Sequence, residues 1–92
     1  MAAVVLKQQH KKSDKEIRVL VDEVESQLVN EFKLSSRWIS DTTIEFKRSG
    51  LSGTLCMEPG CVVISLKLGM MLGMYSKKIQ SQLEKIMAEK LS

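Results

Sequence analysis

Two spacings of apolar residues divide the second half of the chain. Val62, Ile64, Leu66 and Leu68 alternate with less apolar neighbours at a period of two, and beyond Gly69 the positions Leu72, Tyr75, Ile79, Leu83 and Ile86 advance at helical spacing. Residues 61–91 therefore predict a strand that passes through a glycine break into a helix running from Leu72 to about Lys90. That helix must cover the sheet it follows. Gly69, at the switch, is expected to hold a backbone conformation other residues resist, or to admit a close backbone approach.

The first half carries the same two periods in the opposite order. Ala2 to Gln8 reads as an opening strand at or near a sheet edge. Ser13-Asp14-Lys15-Glu16 has the form of a capping box, and Ile17, Leu20, Val21, Val24, Leu28 and Phe32 then form one apolar stripe with Asp22, Glu23, Glu25 and Glu31 around the other face. This predicts a helix whose acidic first turn, Asp14 and Glu16, and Lys33 in the last turn suit its dipole. After Ser35 the period shortens. Arg37-Trp38-Ile39, Thr43 to Lys47 and Thr54 to Met57 read as strands, joined by Ser40-Asp41-Thr42, a tight connection at Arg48 to Gly53, and a turn at Glu58-Pro59-Gly60.

The predicted order is β-α-β-β-β-β-α. Four strands at hairpin spacing form an antiparallel meander that the opening strand can join, and two amphipathic helices each need an apolar face to cover. The expected fold is α+β: a single-layer antiparallel sheet with two helices packed on one face, in one domain over residues 1–92.

Composition narrows the class without naming an activity. A hydrophobic fraction of 43% with 27% charged residues is that of a folded domain and excludes a disordered chain. No segment approaches the ~18 apolar residues of a membrane span, and the opening residues lack the pattern of a signal peptide, so no transmembrane segment and a cytoplasmic location are expected. The net charge of +3 is split between the two ends, with no aromatic platform beside it, and nucleic acid is not an expected partner. Cys56 and Cys61 lack zinc-site spacing; both are expected to point away from the core as reduced, inert thiols, neighbours across a hairpin.

Catalytic chemistry is missing from the pattern. The single histidine, His10, lies in a charged loop with no nucleophile or orienting partner beside it, and it reads as a loop anchor. Gly50-Leu51-Ser52-Gly53 has neither the lysine nor the following helix of a phosphate loop. The paired carboxylates of the first helix read as solvated charge. No enzyme activity, cofactor or metal is expected. Trp38 is open to two readings, core packing or a rim contact.

Met70, Met71, Met74 and Tyr75 are the residues most in need of a partner. One helical turn cannot direct all of them at one sheet face while Leu72 points inward, so exposed apolar surface is expected here, flanked by Lys67, Lys77 and Lys78. A dimer contact, core filling and adsorption to a hydrophobic body all fit the residues.

Several of these stretches together carry a family resemblance. His10 with Glu16, Trp38 followed by a turn at Asp41, Phe46-Lys47-Arg48-Ser49-Gly50-Leu51-Ser52-Gly53-Thr54, and Leu68-Gly69-Met70-Met71-Leu72-Gly73 leading to Ile79 resemble the polyhydroxyalkanoic acid system family of small bacterial proteins. Lys12 stands where that family commonly has leucine, and Ser40 where it has a turn glycine. The resemblance implies a setting, polyhydroxyalkanoate granules, and brings no catalytic residues with it. The expected function is a non-enzymatic, granule-associated binding protein whose partner is the granule or a hydrophobic acyl ligand, with Met70, Met71, Met74 and Tyr75 as its contact. The alternatives are a homodimeric interaction module and a small acyl or lipid carrier in which a curved sheet grips a helix.

Overall fold

The computed structural model describes residues 2–91. Five strands, β1 (Ala2–Gln9), β2 (Ser35–Trp38), β3 (Thr43–Arg48), β4 (Leu51–Glu58) and β5 (Cys61–Leu68), are joined by three helices: α1 (Asp14–Phe32), α2 (Met70–Gly73) and α3 (Ser76–Leu91). The strands form one antiparallel sheet in the order β1-β5-β4-β3-β2, so the opening strand pairs beside the last one and ends the sheet. The α+β architecture is the one the sequence predicts.

Helix α1 begins and ends for identifiable reasons. Ser13 is the N-cap: its Oγ accepts the Glu16 N–H at 3.2 Å, while its hydroxyl donates to Glu16 Oε1 at 3.1 Å, which closes the box. At the other end Lys33 is not in the last turn, as the pattern suggested, but caps it in the left-handed conformation (φ 55°, ψ 48°), donating its N–H to Val29 O. Arg48, from the end of β3, supplies the cation instead: its Nη1 donates to Phe32 O at 2.7 Å.

The hairpin turns are shorter than the sequence indicated. Arg48 pairs directly with Leu51, leaving Ser49-Gly50 as the whole β3–β4 turn, and Glu58 pairs with Cys61 around Pro59-Gly60. Gly50 (φ 81°) and Gly60 (φ 73°) supply the left-handed second turn residue that a side chain would resist. Gly53, expected in the turn, lies inside β4 opposite Phe46 and Leu66. Its glycine answers a close approach, since a Cβ there would lie 2.4 Å from both Leu66 Cδ2 and Ser65 O.

One sheet face is apolar and covered. Val4, Ile44, Phe46, Leu51, Leu55, Val62, Ile64, Leu66 and Leu68 are buried on it, beneath Ile17, Val21, Val24 and Leu28 of α1 and Ile79, Leu83, Ile86, Met87 and Leu91 of α3. The other face is open. Across its middle run Val5, Ser65, Thr54, Glu45 and Arg37, with Glu45 accepting from Arg37 Nε at 3.1 Å. Cys56 and Cys61 are on this face as free thiols, but their direct partners are Val63 and Glu58, so the two stand diagonally and not opposite one another.

The final helix departs from its predicted stripe. The Tyr75 N–H bonds to Leu72 O at 2.9 Å, a turn tighter than α, which separates α2 from α3 and leaves Tyr75 outside the buried face. Met87 and Leu91 extend the stripe at its far end. Leu83→Ala should therefore lower stability by about 2–5 kcal/mol, whereas the exposed neighbour Gln82→Ala should shift it by less than about 0.5 kcal/mol. Urea midpoints of the two variants check this, and equal midpoints would mean that α3 is not docked.

Candidate interaction site

The exposed apolar residues expected after Gly69 are held outward by the backbone. Leu68, at the end of β5, is buried, and Gly69 continues extended (φ −69°, ψ 178°), a conformation open to any residue. The strain expected at Gly69 is therefore absent. The Gly50 backbone does lie beside it, since the Gly69 N–H donates to Gly50 O at 2.8 Å, but a Cβ on Gly69 would meet that oxygen at 3.4 Å, an ordinary van der Waals contact. Gly73 N–H to Gly69 O at 2.8 Å closes the single turn of α2, and Ile79 N–H to Tyr75 O at 2.9 Å opens α3.

Within that turn only Leu72 reaches the core, packing toward the β3–β4 turn beside Gly50. Met70, Met71 and Met74 are 86%, 84% and 84% exposed, and Tyr75 is 54% exposed. Isolated surface hydrophobics such as Val19 and Ile39 are ordinary, but four outward positions among six residues make an apolar tip. Unbranched methionine suits such a tip, because its side chain adapts to an irregular partner at little cost in fit.

Basic residues flank the tip along the chain. Lys77 and Lys78 occupy the first turn of α3, where no acidic residue balances the helix dipole and a cation is disfavoured by about 0.3–1 kcal/mol. Lys67 stands exposed on the open sheet face in line with Ser52 and Lys47. The sequence reading found Lys67, Lys77 and Lys78 but not Lys47 and Arg48, which the β3–β4 hairpin carries to this same end of the molecule. Only the strand register brings them there.

The other residues singled out from the sequence lie elsewhere. His10 anchors its loop: its N–H donates to Gly60 O at 3.0 Å and its Nδ1 accepts the Lys12 N–H at 3.1 Å, while Nε2 is buried without a hydrogen-bond partner. Since Lys12 engages His10 through its backbone, that contact tolerates lysine in place of leucine. Ser40 replaces the turn glycine by accepting the Thr42 N–H on its Oγ at 3.2 Å. Trp38 packs half-buried against the core with the Arg18 guanidinium 4.9 Å above its ring, and Arg18 Nη1 donates to Asp41 O at 3.2 Å. Nothing in the local sequence announces that long-range contact.

Among the described residues no cluster of three or more His, Cys, Asp or Glu could hold a metal, and no helix is long and apolar enough to cross a membrane. The family described as "Putative polyhydroxyalkanoic acid system protein" matches residues 4–91, nearly the whole chain. No curated protein matches it.

Proposed function

Because this chain belongs to the polyhydroxyalkanoic acid system family, we propose that it is a non-catalytic binding protein acting at polyhydroxyalkanoate granules, with Met70, Met71, Met74 and Tyr75 as its contact. The observation that carries this reading is the outward presentation of three methionines on a turn held by its own backbone bonds and by Leu72. Burying a methionine side chain contributes about 1.5–3 kcal/mol, so the tip holds enough apolar surface to support adsorption even after the ordering of its side chains is offset. Exposed lysines beside the tip can keep their charged ends in water while their stems cover part of an apolar partner. Core side chains pack between sheet and helices, and the recess between α1 and the sheet is lined by Asp14, Arg18, Asp41 and Glu58 as well as Ile17 and Met57, which favours contact at the surface over enclosure of an acyl chain.

Met70→Glu combined with Met74→Glu should lower recovery on isolated granules at least tenfold, a loss of about 1.4 kcal/mol. Circular dichroism should show the double variant still folded, since neither side chain touches the core. Undiminished recovery of the folded variant would remove the tip from the function.

A further inference from the structure

The two edges of the sheet are unlike. β2 is four residues long and carries Arg37, which is a guarded edge, but β1 is eight residues long, free of proline, and paired to β5 residue for residue without a bulge. Lys7 is its only charge. The His10 N–H points at Gly60 O, so the residues alternating back along the strand, Gln8, Leu6 and Val4, turn their backbone groups toward β5. The closing pair Glu58–Cys61 of the neighbouring hairpin fixes the same phase. It follows that Ala3, Val5, Lys7 and Gln9 direct their N–H and C=O groups at the free edge, and all four are exposed.

We propose that this edge is the interface of a homodimer, in which β1 pairs antiparallel with the β1 of a second copy about a two-fold axis at Val5. The strand is self-complementary in that register. Val5 meets the partner's Val5 on the open face, covering a side chain that is 59% exposed and has the small Ser65 opposite it in the monomer. Val4 meets the partner's Leu6 on the helix face, which gives the half-buried Leu6 an apolar neighbour. The pairs formed by Ala3 with the partner's Lys7, Val5 with its counterpart, and Lys7 with the partner's Ala3 each exchange both backbone bonds. The two lysines are then roughly 14 Å apart along the strands, beyond the screening length of physiological salt. A register centred on Lys7 would instead set them face to face. Gln9, whose carbonyl already accepts from the Gln8 side chain, lies outside the overlap. The arrangement is isologous and closes on itself, joining two five-stranded sheets into one.

Light scattering across a concentration series tests this without reference to granules. The wild type should reach twice the 10.4 kDa chain mass at high micromolar concentration. Val5→Pro should halve that mass while leaving the fold intact, because the N–H it removes points away from β5 and takes no part in the internal ladder. If the proline variant fails to fold, Val5→Lys decides, since two cations would then oppose each other at the axis. Met70→Glu with Met74→Glu should remain dimeric. A wild type that stays monomeric, a folded Val5 variant that stays dimeric, or loss of the dimer in the methionine variant would each overturn the assignment, and none of them bears on granule recovery.

Discussion

Phe46→Ala should leave much of the protein unfolded near growth temperature. Phe46 is fully buried on β3, among Ile44, Leu55, Leu66 and the side chains of α1. Truncating a buried phenylalanine costs about 3–5 kcal/mol, because the ring's transfer energy is lost and the surroundings close only partly over the gap. A chain of this size has about 5–14 kcal/mol in total. At about 4–8 °C per kcal/mol the melting temperature should fall by about 12 °C or more. Calorimetry checks the result, and an unmoved transition would place Phe46 outside the core.

The second large effect is expected from adding a single methyl group. In Gly53→Ala the new Cβ would meet Leu66 Cδ2 and Ser65 O, both at 2.4 Å. Leucine can rotate away, but a carbonyl in the β4–β5 ladder cannot move without loosening the pairing around it. Overpacking of this kind costs about 1–3 kcal/mol and more where backbone must shift, so a loss of about 3 kcal/mol is expected. Gly69→Ala is the comparison. There the Cβ finds Gly50 atoms at 3.4–3.5 Å and an extended backbone, and stability should stay within about 1 kcal/mol of wild type. If chemical denaturation ranks the two variants the other way, the register of β4 against β5 is wrong.

These two glycines also show where the sequence was readable. Period-two and helical spacings located β3, β5 and both long helices, because burial on one face imposes them, whereas the strand read at Arg37-Trp38-Ile39 lies at Ser35–Trp38. The capping box at Ser13 and the Pro59-Gly60 turn were equally legible, since their chemistry is local. The sequence misled wherever a residue answers to something distant. Gly53 reads as a turn glycine until its strand neighbour is known, and Gly69 reads as strained until Gly50 is found opposite it. Tyr75 fits the helical stripe by arithmetic, yet a single tightened turn moves it outside. The apolar tip was visible because too many large side chains share one turn. The contribution of Lys47 and Arg48 to its surroundings was not, for it depends on how two hairpins are registered.

The position of β1 at the end of the sheet also fixes an order of events. Strands β2 to β5 form a meander whose pairings, Ser36 with Phe46 or Leu55 with Ile64, close short loops. Val4 must find Leu66 across about two thirds of the chain, with α1 to be placed on the way. Closing that long loop carries the larger entropic cost and comes with the latest contacts, which slows folding. During synthesis β1 is made before any of its partners and must wait for β5. Until it docks, β5 keeps a bare apolar edge open to whatever strand arrives first, and crowding at that stage is the protein's main hazard of misassembly.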